Sequence, residues 1–574
     1  MLKDGFFSFS IGNRFDIINI IASLLISFLA FSYFCDVRIL NPSFTKWLMP
    51  GDSETYWLNW LFYQQSSIFQ IPIFKNYSYG NELSSTLALN DSLPIMALLY
   101  KSIQQILPEN SQYFGPWILI CFFLQSFFAI KILKKFSDDY ILVILFSIFF
   151  AFAPIFIWRL WGHYSLMAHW LILWSLDIYF NKNFKLSKWL TIFLLSYLIS
   201  AYIAVMMFII FMTDLIKRKM DKELGYKKIS TILIIFFITS LTALYLIGYI
   251  EPGTKLSTSG FGIYKANLLT FFDSNATWSN LFSDIRSIEG EHEGFAFLGS
   301  GVILLSIVTI LHILFKKVKI NVLSIYGYKQ ILFVSILLFV LALSSNVHFG
   351  GFHIFSIDFP KFIDKILGII RASGRMVWVP FYIAYITLFI GINSLNRKKV
   401  YRLVIVFFLC LNIVDMNKIS NLFTLKTGDI EKNYKEVYSG PQHEKEYAYW
   451  KMQWNSPMKS EKWNNFSKMY NEINYIYPKN RPNNYFVLAL YAAKNKMSVN
   501  FGSFSRVKKQ KVKELISELE LTVMNSTYDK KVLYYFDDEN AWQNARKNMQ
   551  EGDLVEIVDG FKILAPGYYI NLNK

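Results

Sequence analysis

Long apolar runs separated by short polar loops recur along the chain from Ile17 to Val414. A run of roughly 20 apolar residues is long enough to cross a bilayer as a helix, and somewhat shorter runs also cross. The pattern predicts spans at Ile17–Phe34, Tyr113–Leu133, Tyr140–Trp158, Leu166–Phe180, Ile229–Ile250, Phe295–Phe315, Ile331–Ser345, Met376–Asn393 and Val400–Val414. The stretch Trp189–Ile216 is either one long helix or two short crossings that turn near Ala201 and Tyr202.

Lysine and arginine residues cluster in the short loops between these runs. The clusters are Lys131, Lys134 and Lys135; Lys182, Lys185 and Lys188; Lys217, Arg218, Lys219, Lys222, Lys227 and Lys228; Lys316, Lys317 and Lys319; and Arg397, Lys398 and Lys399. Cytoplasmic loops carry an excess of Lys and Arg, and all these clusters fall on one side only if Trp189–Ile216 crosses twice. We therefore expect a helical hairpin there, about eleven crossings, the N-terminus inside and the C-terminus outside.

This orientation places the long loops 36–112, 159–165, 251–294 and 346–375 on the side opposite the cytoplasm. The polar tail from residue 418 to 574 lies on the same side. It contains a helical run, Val512–Leu521, and strand-like runs at Tyr485–Leu490, Lys531–Phe536 and Leu554–Leu564. The predicted fold class is an all-α polytopic membrane protein, residues 1–417, with a small C-terminal extracytoplasmic α/β domain, residues 418–574.

Composition agrees with lipid as the main solvent. Only 17% of the residues are charged, against about 25% in soluble domains, and the mean hydropathy is +0.32. The net charge of +17 resides largely in the loop clusters, so it reports orientation and predicts no nucleic-acid partner. The three cysteines lie in or beside apolar runs, without the spacing of a disulfide framework or a zinc site.

The first long loop carries the most informative polar residues. Asp52 and Glu54 follow a Pro-Gly turn signal and precede a mostly apolar run, Trp57–Phe62. A carboxylate at the membrane surface is a candidate general base, but Asp or Ser before a helix is more often a cap for backbone N–H groups. Capping is also the more conservative interpretation of Asp91.

Other polar residues gather at the same predicted face. Arg159, His163 and His169 follow the third predicted span, where they form either an interfacial belt with the neighbouring Trp residues or part of a cleft. Neither histidine stands out as a metal ligand. The loop 251–294 carries Tyr264 and an acidic run that ends at Glu293. That run is either a solvated face with charges suited to a helix N-terminus, or a second source of carboxylates for an outward-facing cleft.

Two arginines precede the Met376 span. If Arg371 and Arg375 begin a helix, their i, i+4 spacing puts both on one face. Two guanidinium groups there suit a phosphate or pyrophosphate, because arginine offers a planar and permanently charged fork. Headgroup contact or a surface salt bridge is the alternative.

A set of short motifs carries a resemblance to a known family. They are Gly51-Asp52-Ser53-Glu54 with Trp60, Asp91-Ser92-Leu93-Pro94, Gln112-Tyr113-Phe114-Gly115 with Leu124-Gln125, His169-Trp170, Tyr264 with Asn267-Leu268-Leu269, Glu293-Gly294-Phe295-Ala296-Phe297-Leu298-Gly299, and Arg371-Ala372-Ser373-Gly374-Arg375. In this order they resemble a bacterial family of uncharacterised inner-membrane proteins that is grouped with the GT-C glycosyltransferases. The resemblance covers the membrane region and, more loosely, the tail.

The resemblance implies a GT-C-like fold and transfer of a sugar, with inversion, from a polyprenyl-phosphate or pyrophosphate donor. It implies that Asp52, alone or together with Glu54, is the catalytic carboxylate, and that Arg371 or Arg375 neutralises the donor phosphate. Asp91, Arg159, His163, His169, Tyr264 and Glu293 are the expected acceptor or cleft residues. Many members of the superfamily pair two adjacent acids, whereas this chain has Asp-Ser-Glu, so metal dependence stays open and no metal is assigned.

The expected partners are the polyprenyl-phosphate sugar, the lipid bilayer, and an envelope glycan or protein acceptor, with no cofactor. The expected location is the bacterial inner membrane. A lipid-linked glycan transporter or flippase is one alternative. It predicts broken helices and paired polar groups at mid-membrane, often in related halves, whereas here the polar residues gather at one face and the two halves show no detectable similarity. A non-catalytic envelope assembly protein is the other alternative.

Overall fold

The computed structural model describes residues 14–49, 51–250, 260–285, 288–318, 322–395, 397–437, 451–452, 455–507 and 509–572. The helices before residue 438 are α1 Arg14–Phe34, α2 Asp52–Tyr63, α3 Pro94–Ser102, α4 Phe114–Leu133, α5 Tyr140–Ala151, α6 Pro154–Ile157, α7 Trp170–Tyr179, α8 Leu186–Ile199, α9 Ala201–Met220, α10 Tyr226–Ile247, α11 Ser300–Lys316, α12 Tyr328–Leu343, α13 Lys361–Leu367, α14 Trp378–Asn393, α15 Lys398–Asp415, α16 Asn417–Gly428 and α17 Ile430–Val437. A hairpin of β1 Asn346–Phe349 and β2 Phe352–Ser356 lies between α12 and α13. Most of the described chain is therefore helical.

The helical hairpin predicted at Trp189–Ile216 is confirmed. Helices α8 and α9 are separated by Ser200, whose backbone is extended at φ −158°. The indole of Trp189, near the start of α8, donates a hydrogen bond of 3.2 Å to Asp214, near the end of α9. The two helices are thus antiparallel, and the basic loops on either side of the pair lie at the same end.

Contacts join the loops of four basic clusters at that end, which we call the basic end. The Lys135 ammonium donates to Asn181 at 2.7 Å, and the Arg218 guanidinium donates to the Asn181 carbonyl at 2.6 Å. The amide of Asn393, at the end of α14, donates to the Phe136 carbonyl at 2.7 Å. The opposite end of the bundle carries the candidate site described below and is called the site end.

Five helices are long and apolar enough to cross a membrane, or six if the bent pair α15 and α16 is one span. The five are Asp16–Phe34, Phe114–Leu133, Tyr140–Trp161, Tyr226–Ile247 and Ser373–Asn393. Helices α8, α11 and α12 are apolar but shorter. The predicted total of about eleven crossings is not confirmed by these lengths and stays a prediction.

The C-terminal part contains a small mixed sheet. Its strands are β3 Glu472–Tyr475, β4 Ser498–Val499, β5 Val532–Phe536, β6 Leu554–Val558 and β7 Phe561–Ala565, in the order β4-β3-β5-β7-β6. Strand β3 is parallel to β4 and β5, and β7 is antiparallel to β5 and β6. The helices are α18 Lys462–Met469, α19 Tyr485–Lys494, α20 Lys509–Asn525, α21 Glu539–Lys547 and α22 Tyr568–Leu572. The predicted α/β character of this domain is confirmed.

One predicted strand of this domain is wrong. Tyr485–Leu490 is not a strand but the first part of α19, and the first five residues of this helix are all buried. A short, continuously apolar run has no period that separates a buried strand from a buried helix. The run continues through Ala492 and Ala493, and alanine favours helix. The predictions at Lys531–Phe536 and Leu554–Leu564 coincide with β5 and with the β6–β7 pair.

The first long loop joins this domain directly. The Val499 N–H donates to the Ser78 carbonyl at 3.0 Å and the Gly80 N–H donates to the Val499 carbonyl at 2.7 Å, so the loop extends the sheet beyond β4. The Tyr79 hydroxyl accepts a hydrogen bond of 3.0 Å from the Ser503 N–H. Tyr79 is fully buried, so the loop and the domain share one packed interface.

Candidate active site at one end of the bundle

Helix α2 presents Asp52 at the site end. Gly51 precedes it with φ +107°, a left-handed conformation that glycine adopts without steric cost. The Asp52 carboxylate accepts a hydrogen bond of 3.1 Å from the Arg481 guanidinium of the C-terminal domain. Both side chains are about half exposed, at 43% and 55%. Gly51 occupies the cap position, and the Asp52 carboxylate is directed to another domain, so the capping interpretation is not supported.

Glu54 lies two residues further along α2 and is buried. Its carboxylate accepts a hydrogen bond of 2.6 Å from the Tyr485 hydroxyl of α19. Burial raises the pKa of Glu54 to about 7, although the Tyr485 hydrogen bond and the charge of Arg481 act in the opposite direction. The two carboxyl groups of the Asp-Ser-Glu motif therefore differ in kind. Both contact the C-terminal domain, but the Asp52 carboxylate is about half exposed and open to a substrate, whereas Glu54 is buried.

Asp91 lies beside this pair, outside any helix. Its backbone is left-handed at φ +54°, and its carboxylate accepts a hydrogen bond of 3.1 Å from Ser165. Helix α3 begins at Pro94 with Leu93 as its cap residue, so the capping interpretation of Asp91 is wrong. Burial raises the pKa of Asp91, against the charge of Arg375 and the Ser165 hydrogen bond. The charges of Asp52 and Glu293 also act on this carboxyl group.

Two arginines share the carboxylate of Glu293. Arg375 binds it through two hydrogen bonds of 3.0 and 2.7 Å, and Arg159 binds it at 3.1 Å. The Arg159 side chain is fully buried and lies over the Trp378 ring, 4.9 Å from its centroid. Burial would raise the pKa of Glu293, but the two guanidinium charges outweigh it and hold that pKa well below its usual value. The surface salt-bridge interpretation of Arg375 is thus wrong, because its ion pair is largely buried.

Glycines explain how these motifs meet. A Cβ on Gly374 would lie 2.8 Å from the Cα of Gly294 and 2.7 Å from the Lys265 carbonyl carbon. A Cβ on Gly294 would lie 2.3 Å from the Lys265 carbonyl oxygen. Contacts this short are not tolerated in packed backbone. The backbones that follow Glu293 and precede Arg375 therefore touch, which brings the two side chains together.

Arg371 and Arg375 do not share a helix face. Arg371 follows the 3-10 turn Gly368–Ile370, Arg375 lies within a second 3-10 turn, Ser373–Val377, and α14 begins only at Trp378. Arg371 is exposed and lies 4.6 Å from the centroid of the Tyr264 ring. Arg375 lies over the Tyr202 ring at 4.7 Å. Arg371 is consequently the arginine of the two that is open to a ligand.

The two histidines differ in position. His163 is partly exposed, and the charges of Arg375, Glu293, Arg159 and Asp52 all act on its imidazole. Burial, with the Arg375 charge, lowers the pKa of His163 to about 4. His169 is fully buried, stacks on Trp378 with ring centroids 4.1 Å apart, and hydrogen-bonds to the Tyr382 hydroxyl at 2.8 Å. His163 therefore belongs to the cleft, and His169 lies beneath it.

The acidic residues of the loop 251–294 also divide into buried and exposed ones. Glu291 is buried and paired with Lys265 at 3.0 Å, whereas Asp284 and Glu289 are exposed. The solvated-face interpretation applies to the exposed pair but is wrong for Glu291 and Glu293. Residues 251–259 and 286–287 of this loop lie outside the described residues. Among the described residues, no group of three or more His, Cys, Asp or Glu side chains is arranged to hold a metal ion.

Comparison with known proteins places the chain in a family. Residues 24–417 match the family described as a domain of unknown function, DUF6311, and residues 462–566 match the DUF6311 C-terminal domain. The chain belongs to the DUF6311 family. No curated protein matches it.

Among solved structures, this DUF6311 protein is similar to the Archaeoglobus fulgidus oligosaccharyltransferase. The apo form is 12% identical with a TM-score of 0.34, and the match covers 86% of this chain and 65% of that protein. The form tethered by a disulfide bond to an acceptor peptide with the NVT sequon is 11% identical with a TM-score of 0.35. That match covers 92% of this chain and 69% of the other.

The cleft of this DUF6311 protein is built from both matched regions. Asp52, Asp91 and Glu293 belong to the first, and Arg481 and Tyr485 belong to the C-terminal domain. Sequence reasoning missed the last two. The available signal was Asn480-Arg481-Pro482-Asn483-Asn484, a turn-forming stretch before an apolar run. Arg481 adopts φ +53°, unusual for arginine, and its guanidinium is held by Ser503 at 2.6 Å.

Proposed function

We propose that this protein is a membrane glycosyltransferase. It transfers a sugar from a polyprenyl-phosphate-linked donor to an acceptor at the side of the bacterial inner membrane opposite the cytoplasm. The N-terminus lies inside, the C-terminal domain lies outside, and the acceptor is an envelope glycan or glycoprotein. The lipid-linked sugar is a substrate, and the residues described below perform the reaction without a cofactor.

One observation supports this proposal above the others. Carboxylates and an arginine from four separate parts of the chain meet at one end of an apolar helical bundle: Asp52, Asp91, Glu293 and Arg375. The charges of Asp52 and Asp91 both act on Tyr56, together with that of Arg375. A site of this kind combines a proton acceptor with cations for a departing phosphate, beside helices suited to lipid.

Each residue has a role in the proposed reaction. The acceptor hydroxyl oxygen forms a bond to the anomeric carbon of the sugar, and the bond from that carbon to the lipid phosphate breaks. Asp52 accepts the hydroxyl proton, since it is the more exposed carboxylate of its motif. Arg371 neutralises the phosphate that leaves with the bonding electrons. Attack opposite the leaving group inverts the configuration of the sugar.

The remaining polar groups shape the site. Arg375 and Arg159 hold Glu293 in place. Two guanidinium groups paired with one carboxylate leave a net positive charge, and it is mainly through this charge that Arg375 stabilises the donor phosphate. Glu54 and Tyr485 hold the C-terminal domain against α2, and the acceptor enters between that domain and Asp52. Asp91 and His163 lie where the acceptor would be oriented.

The test is a deletion strain complemented with variants. Mass spectrometry of its envelope glycans and glycoproteins should show one sugar missing, restored by the wild-type gene but not by Asp52→Asn. Asp284→Asn is the matched control, because Asp284 is an exposed aspartate in another loop, and it should restore the sugar fully. Immunoblotting confirms equal expression.

Retained activity would contradict the proposal. If Asp52→Asn, Arg371→Ala and Arg375→Ala all restore the sugar, the protein is not the transferase. If the protein were a flippase, glycan assembly in the cell would depend on its transport of the lipid-linked glycan. The purified protein would then transfer no sugar from an extracted lipid-linked donor. An assembly protein would tolerate Asp52→Asn in the cell.

A further inference from the structure

An apolar segment projects from the site end between α12 and α14. It consists of the β1–β2 hairpin and α13, and it contains no Asp, Glu, Lys or Arg from Asn346 to Ile357. Six of its large apolar side chains are between 47% and 76% exposed: Phe349, Phe352, Ile354, Phe355, Phe362 and Ile366. A contiguous apolar surface of this kind marks a contact with lipid or with another protein.

The hairpin is fixed to the body of the protein on one side. The Asn267 side chain accepts from the Gly350 N–H and donates to the Gly350 carbonyl, each at 2.9 Å, which holds the tip. Val347 and His348 of β1 are buried, and His348 contacts the Lys265 ammonium. All five residues of β2 are exposed. The apolar surface is thus presented outward by an anchored element.

Its position along the bundle is set by the helices on either side. Helix α12 ends at Leu343, three residues before β1, and the apolar helix Ser373–Asn393 begins shortly after α13. Sixteen residues of α12 rise about 24 Å, which is less than the roughly 30 Å of a bilayer core. The outward face of α12 carries exposed Phe333, Leu337 and Val340, at i, i+4 and i+7. Two residues separate the end of α12 from the hairpin, and β1 contacts that helix, so the exposed apolar residues of the hairpin follow directly on this stripe.

Backbone chemistry limits how deep the hairpin can lie. In the described part of the chain, β2 pairs only with β1, so its outer edge leaves backbone N–H and C=O groups for solvent. Unpaired backbone groups are strongly unfavourable in hydrocarbon, where no water satisfies them. At the headgroup level, water and headgroups bond to this edge while Phe and Ile side chains reach the acyl chains.

We propose that the β1–β2 hairpin and α13 form an interfacial anchor that lies in the headgroup–acyl boundary of the bilayer at the site end. Lipid is favoured over a protein partner because the surface is continuous with the exposed stripe of α12. The anchor fixes the depth of Arg371, which follows α13 after the turn Gly368–Ile370. This inference does not depend on the glycosyl-transfer reaction.

The test measures the depth of a fluorophore in the full-length protein. Cys35, Cys121 and Cys410 are replaced by Ala, and Phe352→Cys or Phe362→Cys is labelled with the environment-sensitive dye NBD. The protein is reconstituted in vesicles of phosphatidylcholine and phosphatidylglycerol with nitroxide lipids. Gln543→Cys, on the exposed face of α21, is the matched control.

We expect both labels in the anchor to be quenched several-fold more by a nitroxide near the headgroup than by one near the acyl terminus, with little quenching by aqueous iodide. The label at position 543 should show the reverse, with iodide alone effective. Iodide quenching at positions 352 and 362 as strong as at 543 would overturn the proposal. Protection from every quencher would also overturn it, because the surface would then be covered by protein.

Discussion

At the scale of single residues, Glu54 combines burial with a contact between domains. Its carboxyl group has a folded-state pKa of about 7, raised by burial above the ordinary value of about 4.3. A carboxyl group with a raised pKa contributes stability that is fully present below the unfolded pKa and is lost as pH rises through the folded pKa. For Glu54 this window runs from about pH 4 to about pH 7.

We therefore expect the thermal stability of the purified protein to fall between about pH 5 and pH 7. The part due to Glu54 is at most about 4 kcal/mol, from roughly 1.4 kcal/mol per pKa unit. Glu54→Gln keeps the shape but cannot ionise, so its melting temperature should fall less over the same range. Scanning fluorimetry at a series of pH values measures both. If the melting temperatures of the wild type and of Glu54→Gln fell equally with pH, the raised pKa could not be assigned to Glu54.

Replacing Arg481 should lower activity strongly and change stability little. Its bond to Asp52 is half exposed, and exposed ion pairs contribute only about 0–1 kcal/mol to stability. If Arg481 positions the Asp52 carboxylate, its loss removes a charge-assisted hydrogen bond of about 1.5–3 kcal/mol at the site. Arg481→Ala should then lower the restored glycan about 10- to 100-fold while the melting temperature changes little.

The matched control is Lys511→Ala. Lys511 pairs with Glu82 at 3.2 Å, a second exposed contact between the C-terminal domain and the first long loop. It should leave the glycan at its wild-type level, and Arg481→Lys should recover part of the loss. Equal effects of Arg481→Ala and Lys511→Ala would mean that Arg481 is only a docking contact.

At the scale of elements, the 3-10 turn Glu291–Gly294 and the turn Ser373–Val377 form one electrostatic unit. Removing one partner of a buried ion pair costs about 3–5 kcal/mol, because the remaining charge stays buried. Glu293→Gln leaves two guanidinium groups without a carboxylate, so we expect a clear fall in melting temperature. Glu289→Gln, the same change at an exposed position of the same loop, should have almost no effect. Similar melting temperatures for both variants would contradict the buried-pair description.

Sequence patterns predict some of these elements well and others poorly. The long apolar runs predicted α1, α4 and α10 to within a few residues, because a continuous run of that length has few other uses. The α8–α9 hairpin followed from the charge distribution. Tyr485–Leu490 was assigned to the wrong class because its helical contacts come from tertiary packing.

The sequence indicated individual residues of the candidate site but not which of them pair with each other. Asp52, Glu293 and Arg375 were named, but nothing local indicated that Glu293 would take Arg375 away from a ligand. The partner of Asp52 lies 429 residues further along the chain, and the Asp52–Arg481 contact depends on the sheet edge at Val499. Contacts between residues so far apart along the chain depend on the whole fold, so a single sequence gives little indication of them.

At the scale of the whole molecule, the contact between the first long loop and the C-terminal domain constrains the topology. Both must lie on one side of the membrane, so an even number of crossings separates them. The predicted topology meets this condition only with the α8–α9 hairpin, because a single crossing there makes the number odd. This argument is independent of the basic loops and leads to the same arrangement.

Labelling of intact cells tests that arrangement. In a background without native cysteines, Lys185→Cys and Lys222→Cys should be protected from a membrane-impermeant maleimide, because both lie at the basic end. Gln543→Cys in the C-terminal domain should be labelled. Labelling of only one of the two basic-end positions would show that α8 and α9 do not form a hairpin across the membrane.

The extended sheet also has a consequence for biosynthesis. The Tyr79 hydroxyl and the Ser503 N–H that binds it are 424 residues apart, so ribosomes need roughly 20 to 90 s to produce the second after the first. During that time the first long loop has no partner strand, and Asp52 lacks its partner Arg481. The cleft is therefore assembled late, after the membrane helices are made. A nascent or truncated chain would hold the acidic motif without the surface that completes it.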